Sequence, residues 1–141
     1  MDSTTPSIPR STVAAALDLP PDTNALPPGD LPVERFAERF LAALQAEDET
    51  DAWTVDLFHH LVTDDPHIAV ASLLCCLDRA PEQAETLGGG PLTDLLTRSG
   101  AAAMGPLEAS GHPALPRAMA AVDTGEITHP FLLARIDAAR D

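Results

Sequence analysis

The stretch from Asp64 to Leu96 carries the feature that most restricts the fold. It is the apolar run Ile68–Leu77 (IAVASLLCCL), in which Ser72 is the only polar residue. A strand of that length would be unusual, and an amphipathic surface helix would show charges. The run therefore reads as a helix that is apolar around most of its circumference, which is a buried one. Asp65 can cap its start, and Pro66 suits the first helical position because the missing N–H would have no partner there. Arg79 falls in the last turn and Pro81 stops continuation. The expected helix is Pro66–Asp78, with Ile68, Ala71, Leu74, Cys75 and Leu77 facing the core. A short helix Pro81–Leu87 should follow, then a glycine break at Gly88–Gly90 and a new start at Pro91.

With 141 residues the chain is one domain's worth, enough to bury roughly 68% of the unfolded surface. Its apolar residues are mostly Ala and Leu, with few β-branched side chains, which favours helix. Five aromatics (Phe36, Phe40, Trp53, Phe58 and Phe131) cannot build a large aromatic core. Lysine is absent and all eight basic residues are Arg. A lysine-free composition rich in Arg, Ala and Pro is associated with GC-rich bacterial genomes. The formal net charge of −14 repels nucleic acid and anionic membrane and steers a basic partner. Cys75 and Cys76 are neighbours that diverge by about 100° on a helix, so they are poorly placed to pair. They read as small core hydrophobes in a reducing compartment. No apolar stretch is long enough to span a membrane, and the run Val13–Leu17 is too short for a signal peptide. A cytoplasmic protein is expected.

Residues 1–30 form a Pro-rich arm, and Met1–Pro32 holds seven of the 14 prolines. The arm is expected to be partly disordered or docked. A short helix over Ser11–Leu17, capped by Ser11 or Thr12, would lay Val13, Leu17 and Leu19 over the domain. Residues 31–141 should make a single helical domain. Its first helix, Leu31–Ala46, places Val33, Phe36, Ala37, Phe40, Leu41 and Leu44 on one face, with Asp30 as cap. The second, Asp51–Val62, turns Trp53, Leu57, Leu61 and partly Phe58 inward. After the central helix come Pro91–Arg98, closed by Gly100, and Ala101–Ala109, broken at Gly105-Pro106. Pro113–Val122 and Thr128–Arg140 follow, the last capped by Thr128 with Phe131, Leu132 and Ile136 inward. No strand signal is present. The fold class is all-α: an irregular bundle of about six to eight short helices, or a few HEAT-like pairs.

The segment LVTDDPHIAVASLLCCLDRAPEQAETLGGGPLTDLLTRSG resembles a bacterial domain-of-unknown-function family, family 6869. The residues that carry the likeness are Asp64, Asp65 and Pro66, then Leu77, Asp78, Arg79 and Ala80, then Gly90, Pro91, Leu92, Asp94, Leu95, Leu96 and Gly100. Gly105-Pro106 departs from the continuous helix usual after that glycine, and a usual tryptophan near Val122 is lost. The resemblance implies a small helical fold and no activity.

His59, His60 and His67 are the densest set of possible metal ligands. The first two diverge, and the third belongs to the next helix and would need Asp64 or Asp65 beside it. No metal and no cofactor are expected. Gly88-Gly89-Gly90-Pro91 lacks the Lys and Ser/Thr of a phosphate loop. There is no Gly-x-Ser-x-Gly elbow and no His-Glu-x-x-His helix, and thiols buried in an Ala/Leu helix are inert. The acids are crowded instead: Glu47, Asp48, Glu49 and Asp51 share one turn, with Asp56 one turn on. Crowded acids at a helix C-terminus oppose the dipole, so the cluster reads as a patch for a basic surface. The expected function is a non-catalytic acidic protein-binding module, of immunity or antitoxin type, that blocks a basic partner protein. The alternative is a small enzyme or metal-dependent protein, from a bacterial biosynthetic or defence operon, centred on Asp64, Asp65 and the histidines.

Overall fold

A computed structural model describes residues 7–20, 22–26, 28–45 and 50–140. Within them the chain is all-α. Its helices are α1 (Arg10–Ala16), α2 (Val33–Gln45), α3 (Ala52–Asp64), α4 (Pro66–Arg79), the four-residue α5 (Ala84–Leu87), α6 (Thr93–Ser110), α7 (Leu115–Ala120) and α8 (Pro130–Ala139). The expectation of no strand fails in one place. Ser7–Ile8 (β1) and Leu31–Pro32 (β2) pair antiparallel, Ser7 opposite Pro32 and Ile8 opposite Leu31.

Helix α4 is central. It packs on α2 on one side and α6 on the other, while α3 touches α2, α4 and α6. Its ends follow local rules: Asp65 accepts the Ile68 N–H, Pro66 opens the first turn and Arg79 lies in the last. The buried face differs from expectation. Ala69, Val70, Ser72, Leu73, Cys76 and Leu77 are buried, whereas Ile68, Ala71, Leu74 and Cys75 are only half-buried. Of the five expected core residues only Leu77 is fully covered. Ser72 can lie inside because its hydroxyl donates to the Ile68 carbonyl at 2.9 Å.

On α2 the expected apolar face is present: Val33, Phe36, Ala37, Phe40 and Leu41 are buried and Leu44 packs at its edge. Phe36 stacks on Phe40 at 5.5 Å, and Phe40 on Phe58 of α3 at 5.1 Å. Asp30 serves a different helix from the one expected. Its carboxylate accepts the backbone N–H of Arg10, the first residue of α1, at 3.1 Å, and neither Ser11 nor Thr12 caps α1, which starts after Pro9. Helix α1 ends on Asp18 with φ +57°. There the Asp18 and Leu19 amides donate back to Ala15 and Ala14, the paired bonds of a Schellman ending. Ile8, Val13 and Ala14 are buried, so the described part of the arm is docked on the core.

The glycine break does not occur. Pro81–Gln83 is a 3₁₀ turn leading into α5, and Gly88–Leu92 is a π-helical turn that runs on into α6. The clash that keeps most residues before proline out of the helical region involves their Cβ. Gly90 before Pro91 and Gly105 before Pro106 have none, so α6 passes through Pro106 unbroken. Its distortion lies at Ser99, with φ −139° and ψ 34°. The glycine turn packs on α7. A Cβ on Gly88 would stand 1.9 Å from the Ala118 carbonyl oxygen. In α8, Ile136 is buried, but Thr128 does not cap the helix and Phe131 is 76% exposed rather than inward.

Two pairs of substitutions check this packing by chemical denaturation. Leu73→Ala is expected to cost about 2–5 kcal/mol through lost burial and a cavity, and Leu74→Ala distinctly less; equal losses would contradict the buried face described here. Gly88→Ala should cost about 3 kcal/mol or more by driving a methyl into α7 backbone. Gly89→Ala, whose new Cβ meets only the Ala121 oxygen at 3.6 Å, should gain about 0.5 kcal/mol from reduced chain entropy.

Candidate functional site

The nominated residues separate into several unrelated places. Glu47, Asp48 and Glu49 lie outside the described residues. Asp51 is drawn inward, 9% exposed, with its Oδ2 3.6 Å from an Arg39 nitrogen. It does not stand on an open acidic patch. Its carbonyl accepts the Thr54 hydroxyl at 2.6 Å, which anchors the start of α3. Asp56 is exposed on α3. His59 Nδ1 lies 3.3 Å from Asp94 of α6, and His60 Nε2 lies 3.8 Å from Asp64 one turn along α3. His67 is exposed, and Asp65 is engaged as the cap of α4. Among the described residues no three His, Cys, Asp or Glu side chains converge to hold a metal ion.

The two thiols differ. Cys76 is buried with its Sγ against the Ala37 carbonyl, whereas Cys75 is half-covered. Burial pushes the Cys76 thiol up to about 12, and neighbouring Cys75 adds to the rise. Cys75 is also raised, by burial first, with Arg79 opposing. Neither has the lowered pKa of a nucleophile. His112, which no sequence pattern marks, accepts the Ala114 N–H on Nδ1 at 3.1 Å. Its proton then belongs on Nε2, 3.8 Å from Asp78. The Nδ1 bond steadies the turn before α7, while the buried Nε2 makes no hydrogen bond among the described residues.

The concave feature lies elsewhere. The docked arm, β2 and the start of α3 enclose an open cleft of about 620 Å³, walled by Val13, Leu17, Leu26, Leu31 and Trp53. That volume is typical of small-molecule sites. Three arginines reach it: Arg10, Arg35 and Arg39. The Arg10 guanidinium is fastened to the arm, donating to the carbonyls of Thr23 and Leu26. Arg35 and Arg39 lie one turn apart on the same side of α2. Arg39 is held by Asp51, and Arg35 has no ion-pair partner among the described residues. The sequence signal for this place is slight: two arginines at i, i+4 beside the apolar face of α2, and the only tryptophan of the chain.

No family model, curated protein or solved structure matches the chain. Among the described residues no helix is long and apolar enough to cross a membrane.

The thiol environment has a pH signature. The chain contains no Lys and no Tyr, so between pH 9 and 11 its side-chain titration is that of the cysteines. The native state holds the Cys76 proton up to about 12, while the unfolded chain releases it near pH 8.5–9. The unfolded state then binds fewer protons, and stability falls as pH rises through that window, by up to about 1.4 kcal/mol per pH unit. Denaturation at pH 8, 9, 10 and 11 should show this decline, and Cys76→Ala should remove most of it. In the folded chain at neutral pH a thiol reagent should label Cys75 and spare Cys76.

Proposed function

We propose that the chain is a non-catalytic, cytoplasmic binding module that presents an acidic surface to a basic protein partner. One observation supports this reading: six of the eight arginines already sit beside a carboxylate of the chain. Arg39 and Arg79 lie beside Glu38, Arg98 beside Asp94, Arg117 beside Glu85, Arg135 beside Glu108 and Arg140 beside Asp137. Much of the positive charge is thus answered locally, and the surplus of −14 is carried by carboxylates such as Glu34, Asp56, Glu82 and Glu126, all exposed. Such a surface accelerates encounter with a cationic protein and rejects polyanions. An immunity or antitoxin role is the narrower form of this proposal, with a basic toxin as partner. The likeness to family 6869 adds an expectation of helical fold and no chemistry. A small enzyme centred on Asp64, Asp65 and the histidines finds little support, since Asp65 caps α4, His59 and His60 face separate carboxylates and His67 is exposed.

The test is the association rate with a partner captured from the native host, measured at about 0.02 and 0.5 M salt. Steering by surface charge should make the rate fall at least tenfold across that range. Neutralising Glu47, Asp48, Glu49 and Asp56 to Gln or Asn should slow capture at low salt. Asp51 is left in place, because its loss would release Arg39 and confuse folding with binding. A rate independent of salt in the parent, and unchanged in the variant, would reject the acidic-surface reading.

A further inference from the structure

We propose that the cleft between the arm and α2–α3 binds an amphipathic monoanion, an alkyl carboxylate whose chain lies along Val13, Leu17, Leu26, Leu31 and Trp53 and whose head meets Arg35. This site is separate from the acidic surface and does not depend on it. The walls exclude most other ligands. They are mainly apolar, so a polar or sugar-like molecule would lose more hydration than it regains in hydrogen bonds. The ionisable side chains on the lining are three arginines and Asp30. Asp30 is turned to the Arg10 amide, and the Arg10 guanidinium to the arm's carbonyls. Arg39 stands 3.6 Å from Asp51. Arg35 alone among the lining charges has neither an ion pair nor a hydrogen bond among the described residues.

That arrangement is unusual for this chain. Its carboxylates outnumber its arginines 22 to 8, and six of the eight arginines sit beside one. An arginine left unanswered at the lip of an apolar cleft complements a ligand with one negative charge and an apolar body. A guanidinium presents two parallel N–H donors that match a carboxylate. A polyanion such as a nucleotide would find the other two lining arginines already engaged, Arg10 by carbonyls and Arg39 by Asp51, and would meet the repulsive field of the whole chain. A neutral hydrocarbon would leave Arg35 unused.

The single tryptophan lines the cleft, so its emission reports occupancy directly. The full chain is titrated with hexanoate, octanoate and decanoate below their micelle concentrations, and with 1-octanol and 1-decanol as neutral counterparts. Emission is followed alongside calorimetry, which reads binding even where the emission does not move. The expected result is saturable binding of one carboxylate per chain, tightening about two- to fourfold per added methylene. Decanoate should bind at least fivefold tighter than 1-decanol. Arg35→Gln should weaken decanoate about tenfold, leave 1-decanol unchanged and leave the melting temperature unaltered. Leu26→Asp should abolish binding of both. The proposal is overturned if neither method shows saturable binding, if the alcohol binds as well as the carboxylate, if Arg35→Gln changes nothing, or if many molecules bind per chain as a detergent would.

Discussion

A helix with as little polarity as Pro66–Arg79 has to be covered on more than one side, and that requirement organises its neighbours. Helix α2 takes one flank, α6 the other, and α3 fills the space beneath. Bringing α3 and α6 together at the head of α4 creates a local problem. The Val62 carbonyl near the end of α3 would be bonded by the amide four residues on, but that residue is Pro66, which has none. The Ser99 hydroxyl supplies the missing donor at 2.6 Å. Ser99 is also the residue where α6 leaves helical geometry. The proline that starts the central helix and the kink in α6 are therefore two halves of one arrangement. Thr93 does similar work at the other end of this unit, donating to the Gly88 carbonyl at 2.7 Å and accepting the Asp123 amide at 3.1 Å.

Helix type and approximate limits were legible because they follow local chemistry. Asp65-Pro66 starts α4 as capping rules require, and α2 shows its apolar face with ordinary 3.6-residue spacing. What was not legible follows from the same chemistry. In a run where almost every residue is apolar, periodicity has nothing to mark the outward side, so the buried face of α4 could not be phased. Its one polar marker misleads, because Ser72 returns its hydroxyl to the helix backbone and goes inside. Gly-Pro pairs read as breaks by the usual rule. Here both pass through helical turns, since glycine lacks the Cβ that makes proline's predecessor clash. The role of Gly88 depends on an α7 carbonyl thirty residues away, which no local pattern reports.

The candidate sites divide along the same line. Acidic crowding around residue 50 is visible in sequence, but the inward turn of Asp51 is a tertiary fact, set by Arg39 on the neighbouring helix. The cleft is less visible still. It exists because Ile8 pairs with Leu31, Asp30 holds the Arg10 amide, and Arg10 in turn grips the arm it leads into. Each contact is long-range. A Pro-rich composition argues against regular structure, and the described part of the arm after α1 is laid down in turns and bends rather than as another helix.

The absence of lysine has a mechanical consequence. An ammonium is a compact point charge, whereas a guanidinium offers a planar fork that can serve two acceptors at once. Arg140 uses that fork, Nε and a terminal nitrogen, on the carbonyls of Met119 and Val122, while Arg10 serves the Thr23 and Leu26 carbonyls from one terminal nitrogen. In the case of Arg140 the carbonyls lie at the last turn of α7 and just beyond it, and that of Met119 also accepts the Val122 N–H. Arg140 thereby fastens the end of α8 to the end of α7, much as Arg10 fastens the arm. Surface ion pairs of the Glu108–Arg135 kind contribute little individually. The bonds to backbone carbonyls differ, because they satisfy groups that folding has partly withdrawn from water. A chain with few aromatics and a strongly negative surface thus ties both the arm and α8 down through arginine. Against that pattern Arg35 is the exception, placed on an apolar cleft with nothing described to hold it.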